Sequence, residues 1–217
     1  MATGPPVSVA LFDQALDSPA SRVQVAFADG TREPLQVQRW SGPPDVVDLR
    51  LLARTGAGPT LDIGCGPGRL TGWLAAQGTP TLGIDIAPAA VRRTRERGAA
   101  ALQRSVFQRV PAAGRWRHAL LADGNVGIGG DAVALLVRTA DLLAPAGSVH
   151  VELGAPGSRS GRTLARLEPA DGVAGPWFPW AHVPVTEVGT IAAAADLQVT
   201  ELWSAGTRWF AELVTRG

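Results

Sequence analysis

An acidic residue and three alternating glycines form a segment of the sequence that is suited to ligand binding. The segment runs Asp62-Ile-Gly64-Cys-Gly66-Pro-Gly68, and a second acidic residue, Asp85, follows at the end of the next predicted strand. Glycine reaches backbone angles that side chains forbid, and it lets a ligand lie against the bare main chain. A carboxylate such as Asp85 can accept hydrogen bonds from two neighbouring hydroxyl groups. The spacing therefore predicts a site for a nucleotide-like molecule.

The elements around this segment must hold it at the edge of a sheet. Residues 60–63 read as a buried strand, the stretch from Leu70 as an amphipathic helix, and 82–85 as a second strand. Strands that alternate with helices indicate a parallel sheet covered on both faces. Ligands of such sheets bind at the carboxyl ends of the strands.

The rest of the chain continues this alternation. Helices are predicted over 7–20, 45–54, 88–97, 132–143 and 186–195, strands over 99–103, 115–122, 148–153, 197–203 and 208–214, and a hairpin over 22–37. Helical spacing places two sets of apolar residues toward the core: Val46, Leu49, Leu52 and Ala53, then Val133, Leu136, Val137 and Ala140. Residues 154–185 are rich in proline and aromatic residues. Because proline donates no hydrogen bond to a sheet, they are predicted to form an edge hairpin or a lid.

The glycine spacing excludes one class of nucleotide site. The dinucleotide fingerprint is G-x-G-x-x-G, with its third glycine at the start of the helix. Counting from Gly64 and Gly66, that position holds Arg69. A nicotinamide enzyme is therefore not expected.

The segment from Asp62 to Gly68 resembles motif I of the class I S-adenosylmethionine-dependent methyltransferases. Leu82-Gly-Ile-Asp85 is similar to the family's strand that ends in the ribose-binding acid. The resemblance covers about residues 56–153, and also 186–215 at the end. It implies an α/β fold with a Rossmann-like, mostly parallel sheet, an antiparallel last strand and helices on both faces. Ala146 replaces a glycine that the family usually has.

The resemblance implies one domain over 1–217, with a 1–55 hairpin and helix cap, a 56–153 cofactor-binding core, a 154–185 substrate-side insertion and a 186–217 end. It also implies S-adenosyl-L-methionine as cofactor. Ser105 stands where the family often has an aspartate, so we expect weaker adenine recognition. Arg39 either pairs the cofactor carboxylate or is a surface arginine. The implied cofactor-binding residues are Arg39, Asp62, Gly64, Cys65, Gly66, Gly68, Asp85, Ile86, Ser105, Val106 and Ala122.

Methyl transfer needs a base only when the acceptor is a hydroxyl or a protonated amine. Asp123 follows the fourth strand of the core, where the family places groups that touch the acceptor, and His182 accompanies an aromatic cluster. These two are the predicted catalytic residues, although Asp123-Gly-Asn is equally typical of a turn. The predicted substrate-binding residues are Asn125, Glu152, Trp177, Phe178 and Trp180. The aromatic members of this set either cover a flat substrate or form core.

Composition excludes several other classes of function. The net charge is +1, lysine is absent, and the basic 88–97 helix lacks interleaved aromatic residues, so no nucleic-acid partner is expected. Cys65 is the only cysteine, which excludes an intrachain disulfide, and no metal site is predicted. The chain has neither a leader-like N-terminus nor a run of about 18 apolar residues, so we expect a cytoplasmic protein without a membrane partner, as a monomer or homodimer.

Three functions remain open at this point. The first is transfer of a methyl group from S-adenosylmethionine to an oxygen or nitrogen of a small molecule, such as a biosynthetic metabolite. The second is binding of S-adenosylmethionine or S-adenosylhomocysteine without transferase activity. The third, methylation of a macromolecule, is disfavoured because neither the cap nor the insertion carries a basic aromatic face.

Overall fold

The computed structural model describes residues 7–18 and 22–215, and helices and strands alternate through the middle of this part of the chain. The helices are α1 (Val7–Asp17), α2 (Val37–Ser41), α3 (Val46–Arg54), α4 (Arg69–Ala76), α5 (Pro88–Glu96), α6 (Ala132–Ala140) and α7 (Val188–Ala194). The strands are β1 (Val23–Phe27), β2 (Arg32–Pro34), β3 (Thr60–Ile63), β4 (Thr81–Asp85), β5 (Ala100–Gln103), β6 (Trp116–Leu121), β7 (Leu143–Leu153), β8 (Gly161–Pro169), β9 (Phe178–His182), β10 (Leu197–Ala205) and β11 (Arg208–Thr215). Short 3-10 turns cover Asn125–Gly130 and Val185–Glu187.

The main sheet has the order β10-β11-β7-β6-β3-β4-β5. Strands β3 to β7 run parallel, while β11 is antiparallel to β7 and β10 is antiparallel to β11. The chain moves outward from β3 to β5 and then returns to the other side of β3 as β6. Such a reversal opens a crevice at the carboxyl ends of the two central strands. The predicted fold class is confirmed.

A second sheet of four antiparallel strands has the order β2-β1-β8-β9. The predicted hairpin supplies β1 and β2, and its turn is held by Asp29, whose carboxylate accepts hydrogen bonds from the amide and hydroxyl of Thr31. The predicted insertion supplies β8 and β9. The hairpin and the insertion are thus two halves of one layer, because β1 pairs with β8 along five residues of each strand.

Several details differ from the sequence prediction. Val37, predicted as a strand residue, begins α2. Of the four predicted core residues of α3, only Leu52 is buried, while Val46, Leu49 and Ala53 are exposed. Asp48, by contrast, is fully buried. In α6 the predicted core residue Val137 is exposed and Leu135 is buried instead. Both predictions used apolar spacing alone. In α3 the inward face contains the ion-paired Asp48 beside Leu51 and Leu52.

Segment boundaries also shift. Residues 144–147, predicted as a loop, lie within β7, where Ala146 adopts a left-handed φ of 58° and the register with β6 changes. Thr186 lies in a 3-10 turn, and α7 begins at Val188. The end of the predicted 7–20 helix lies in residues 19–21, outside the described residues. Residues 1–6, part of the N-terminal stretch used for the leader prediction, also lie outside them. Within 7–18 and 22–215, no helix is both long and apolar enough to cross a bilayer.

Candidate functional site

A cavity of about 790 Å³ lies between the carboxyl edge of the main sheet and the second sheet. The main sheet contributes the glycine segment, Asp85 and the residues that follow β6. The second sheet contributes aromatic and aliphatic side chains, among them Phe27 and Trp180. This volume is typical of small-molecule sites.

The glycine segment presents bare main chain to this cavity at one position. The amides of Gly64 and Cys65 donate to the carbonyl of Ile84 at 2.8 and 3.1 Å, which anchors the turn on β4. Gly66 has a left-handed φ of 54°, and a Cβ added there would meet no atom within 4 Å. Its main chain therefore borders open cavity, as a ligand that lies on it requires.

Asp85 is held by the same turn. Its Oδ2 accepts from the Gly66 amide at 2.9 Å, and its Oδ1 accepts from the Ala87 amide at 2.9 Å. Burial raises the pKa of Asp85, and the hydrogen bonds from Ala87 and Gly66 only partly offset this effect. Each oxygen keeps a further lone pair for a hydroxyl donor. Ile86, 54% exposed, borders the cavity beside it.

Asp62 is buried beneath the turn. Its carboxylate accepts from the Thr71 hydroxyl at 2.6 Å. Burial raises the pKa of Asp62 to about 6, against the hydrogen bond from Thr71 and the charge of Arg69. The carboxyl group therefore titrates at a higher pH than an exposed aspartate, and a cationic ligand group would favour its ionised form.

Six charged residues at the strand ends form an arginine–carboxylate network, which consists of Arg39, Asp48, Arg69, Asp123, Glu152 and Arg208. Arg39 donates to Asp123 at 2.5 Å and to Asp48 at 3.2 Å. Arg69, only 3% exposed, donates to the same two carboxylates. Burial alone would raise the pKa of Asp48, but the hydrogen bonds from Arg69, the Asp45 amide and Arg208 outweigh it and lower this pKa.

Arg208 closes the network from β11. Its Nε and one terminal nitrogen donate to the two oxygens of Glu152, both at 2.7 Å, and the other terminal nitrogen donates to Asp48 at 2.8 Å. Glu152 also accepts from the Asp123 amide at 2.7 Å. The network thus ties α3, α4, β7 and β11 to the turn after β6.

The comparisons with known proteins agree with this geometry. Residues 60–147 match the family model described as "Methyltransferase domain". Residues 60–147 are a methyltransferase domain. This match confirms the predicted class of enzyme, and it covers the glycine segment, Asp85 and the turn that contains Asp123. No curated protein matches the sequence.

Solved structures share the fold of the methyltransferase domain and of its flanking segments. A Bacteroides fragilis S-adenosylmethionine-dependent methyltransferase in complex with S-adenosyl-L-homocysteine has a TM-score of 0.80 and 20% identity, covering 100% of this chain and 98% of that chain. A Burkholderia thailandensis 1,6-didemethyltoxoflavin-N1-methyltransferase has a TM-score of 0.58 and 16% identity, covering 78% and 76%. A sugar N-methyltransferase from Streptoalloteichus has a TM-score of 0.59 and 17% identity, covering 79% and 85%.

The part of the cavity predicted to hold the adenine contains predicted and unpredicted residues. The Ser105 hydroxyl accepts from the Phe107 amide at 3.3 Å, and Val106 is buried. Phe107 lines the cavity with an exposed ring, although sequence reasoning missed it. Ala122 is buried at the end of β6 and lines the cavity.

Two predicted cofactor residues pack inside the methyltransferase domain. A Cβ added to Gly68 would lie 2.7 Å from the Thr94 hydroxyl, so this glycine permits close contact between α4 and α5. The Cys65 sulfur lies under Gly83, where an added Cβ would approach it to 2.7 Å. Burial raises the pKa of the Cys65 thiol, which keeps it protonated. The geometry favours a structural role for both Gly68 and Cys65.

The predicted acceptor-side residues are largely engaged with the protein itself. Both oxygens of Asp123 accept from guanidinium groups, and both oxygens of Glu152 accept from Arg208. The Asn125 amide donates to the carbonyls of Ile63 and Gly64 at 2.9 and 3.0 Å. The geometry thus favours positioning roles for these three residues, and Asp123 as catalytic base stays a prediction.

The structure brings only part of the predicted aromatic cluster to the cavity. Phe178, Trp180 and His182 alternate along β9 and line the cavity. Trp177 precedes the strand, is 42% exposed and lies under the guanidinium of Arg166, 4.5 Å from the ring centroid. Trp177 is therefore not among the residues that the structure brings to the cavity.

Sequence reasoning missed Asp48 and Arg208 altogether and used Arg69 only to exclude a dinucleotide. One local signal existed for Asp48. Asp45 caps α3 by accepting from the amides of Val47 and Asp48, and Asp48 in turn accepts from the Asp45 amide, a reciprocal capping box. This D-x-x-D pattern explains an acid at position 48, but its buried partners lie elsewhere in the chain.

Proposed function

We propose that this protein transfers a methyl group from S-adenosyl-L-methionine to an oxygen or nitrogen of a small molecule. The observation that carries the proposal is the pairing of Asp85 with the open main chain of Gly66 at one end of the cavity. Bare main chain suits close approach of the ligand, and the carboxylate suits the two ribose hydroxyls. The matched methyltransferase domain and the S-adenosyl-L-homocysteine in the similar B. fragilis structure support this assignment.

S-adenosylmethionine, when bound, supplies a methyl group on a positively charged sulfur. The residues of this chain bind and orient the cofactor and the acceptor, and they exclude water. Asp85 and the main chain of Gly64 and Gly66 would hold the nucleoside and methionine parts, with Asp62 near the ammonium group. Ile86 would pack against the adenine. The second sheet covers the opposite side and limits the acceptor to a small molecule.

Cofactor binding is the first test. Asp85→Ala removes the charge-assisted ribose hydrogen bonds and should weaken S-adenosylmethionine binding at least about tenfold, measured by calorimetry. Asp131→Ala is the matched control, because Asp131 also accepts from a backbone amide, at 3.0 Å from Ala134, but does not line the cavity. This control should lose helix-cap stability and keep its affinity. An unchanged dissociation constant for Asp85→Ala would refute the assignment.

A further inference from the structure

One face of β9 forms an aromatic compartment, defined as Phe27, Phe178, Trp180 and His182, at the side of the cavity opposite the main sheet. Hydrogen bonds of Gly154 to Val183 and Val185, at 2.9 and 2.8 Å, join the end of β9 to the carboxyl end of β7. The turn after Asp123 packs on the same strand, since a Cβ added to Gly127 would lie 2.2 Å from the Ala181 carbonyl oxygen. The compartment therefore adjoins the strand ends that surround the glycine segment.

Flat aromatic surfaces dominate this compartment. The rings of Phe178 and Trp180 meet edge to face, with centroids 6.3 Å apart and an interplanar angle of 85°. Phe27 meets the ring of His182 edge to face at 4.8 Å. Aromatic side chains pack best against flat apolar ligands. The compartment thus suits a planar ring.

His182 brings one polar group into this apolar setting. Its Nε2 is buried and has no hydrogen-bond partner among the described residues. Burial lowers the pKa of His182, the charge of Arg159 lowers it further, and Glu33 and Asp29 act in the opposite direction. Arg159 stacks on Phe27 at 4.2 Å and pairs with Glu33, so its charge is partly compensated. The imidazole is therefore neutral at neutral pH and able to accept a proton.

The other carboxylates that line the cavity are committed. Within the described part of the chain, Asp123 and Glu152 are bound by guanidinium groups, and Asp85 is held by two backbone amides. Asp62 accepts from Thr71 beneath the glycine segment, and Glu33, which also lines the cavity, pairs with Arg159. His182 is thus a proton acceptor at the cavity whose Nε2 has no hydrogen-bond partner among the described residues.

We propose that the acceptor is a hydroxyl group on a planar aromatic ring, and that His182 is the general base that removes its proton. This inference rests on the proposed function. A phenolic hydroxyl, with a pKa of about 10, is protonated at neutral pH and is then a poor nucleophile. An aromatic amine already carries a free lone pair and needs no base before transfer.

The step balances without a further reactant. The acceptor O–H bond breaks and its proton goes to a ring nitrogen of His182. The acceptor oxygen forms a bond to the methyl carbon with that electron pair. The carbon–sulfur bond breaks, and its pair stays on the sulfur, which loses its positive charge. The products are a methyl aryl ether and S-adenosylhomocysteine, and the imidazolium returns its proton to water.

The test compares two probes that differ in ionisation. Phenol is protonated at pH 8.5, whereas 4-nitrophenol is largely ionised and needs no base. His182→Gln should lower kcat/KM for phenol roughly 100-fold, the size expected for general base catalysis, but lower it less than about threefold for 4-nitrophenol. The ratio of the two losses does not depend on the fraction of folded protein. Equal losses for both probes, or no loss for phenol, would overturn the base assignment.

A matched control and a readout without turnover complete the experiment. His118→Gln removes a buried histidine that does not line the cavity. It should leave the ratio of kcat/KM for the two probes unchanged. In the protein with S-adenosylhomocysteine bound, phenol should shift the side-chain NMR signals of His182 and leave those of His118 and His150 in place. Shifts at none of the three would place the acceptor elsewhere.

Failure of this inference is separable from failure of the proposed function. If calorimetry shows no S-adenosylmethionine binding, the proposed function fails. If the cofactor binds but aniline is methylated in preference to phenol, only the hydroxyl acceptor and the role of His182 are refuted.

Discussion

Three arginines converge on the buried carboxylate of Asp48. Arg39, Arg69 and Arg208 all donate to its carboxylate, which is fully buried at 0% exposure. Buried charges are tolerated only when they are paired, because their desolvation costs several kcal/mol per ion. Removal of the Asp48 carboxylate would leave the buried guanidinium of Arg69 with only one of its two carboxylate partners, Asp123.

Loss of this charge should strongly destabilise the protein. We expect Asp48→Asn to lower the free energy of unfolding by about 3–5 kcal/mol, the range for breaking a buried ion pair. The control is Glu201→Gln, which breaks the partly exposed pair with Arg54 (3.0 Å) and should cost less than about 1 kcal/mol. Urea denaturation at pH 7.5 measures both. Similar losses in the two variants would contradict a buried, stabilising network.

The contrast between Asp85 and Asp48 shows which site residues sequence reasoning can find. Asp85 is recognisable because it lies only 19 residues from its partner Gly66, within one strand-turn-helix-strand unit. Asp48 pairs with Arg69 at a separation of 21 residues and with Arg208 at 160. An ion pair between distant segments leaves no local pattern. The contact between Asp85 and the glycine segment was therefore predictable, while the pairing of charges within the arginine–carboxylate network was not.

At the scale of elements, the turn between β3 and α4 uses its glycines for different purposes. Gly66, with φ 54° and an unobstructed Cβ position, faces open cavity. Gly68, with φ 84°, lies so close to Thr94 that an added Cβ would be 2.8 Å from the Thr94 Cα. Gly66 leaves open space at the cavity, and Gly68 allows α4 and α5 to approach each other.

Alanine at these positions should separate binding from stability. Gly68→Ala should cost about 3 kcal/mol or more, from the left-handed backbone and the clash with Thr94. Gly66→Ala should cost only about 1–2 kcal/mol for its backbone but weaken S-adenosylmethionine binding at least about tenfold. Gly78→Ala, also left-handed (φ 77°) and unobstructed, is the control and should show only the backbone cost. Thermal unfolding and calorimetry distinguish the three. If Gly66→Ala bound the cofactor normally, the cofactor would not lie on this turn.

Element prediction succeeded where the pattern is local and failed where packing decides. Strand β3, strand β4 and the helix between Pro88 and Gly98 follow directly from apolar runs and from the Pro and Gly at the helix ends. The inward face of α3 did not follow, because Asp48 is buried and Val46 is exposed. Apolar spacing identifies a helix, but it does not show that a charged residue such as Asp48 lies on the buried face.

At the scale of the whole molecule, two sheets close on one cavity. The hairpin strand β1 pairs with β8 in the insertion, for example Val25 with Leu167. The sequence predicted a hairpin and a lid-like insertion as separate pieces. Their pairing was not predictable, because strand partners far apart in the chain share no local signal. This pairing nevertheless closes the cavity and brings Phe27 to His182.

The main sheet also contains a buried polar cluster away from the cavity, formed by His118, Ser148 and His150. The Ser148 hydroxyl lies 3.0 Å from Nδ1 of His118 and 2.9 Å from Nε2 of His150. Burial, together with the charges of His118 and Arg54, lowers the pKa of His150 to about 3. The folded protein thus holds this imidazole neutral, while the unfolded chain protonates it near pH 6.5.

This cluster should make the whole fold sensitive to acid. Between about pH 6.5 and 3 the unfolded state binds one more proton at His150 than the folded state, so the free energy of unfolding falls as the pH falls, by up to about 1.4 kcal/mol per pH unit. Asp62 acts in the opposite direction, because burial raises its pKa to about 6 and its folded form retains a proton to higher pH. Because Asp62 is present in both proteins, its contribution cancels when the wild type is compared with His150→Gln.

The measurement is urea denaturation of wild type and His150→Gln at pH 7.5, 6.0 and 5.0. The variant should be the less stable at pH 7.5, since it disturbs the hydrogen bonds with Ser148. The difference should shrink by about 1 kcal/mol or more toward pH 5.0, because only the wild type must then forgo protonation of His150. At pH 7.5 and above, the imidazole is neutral in both the folded and unfolded states, so the difference should be constant there. A difference that is equally constant down to pH 5.0 would mean that His150 is protonated as readily in the folded sheet as in the unfolded chain.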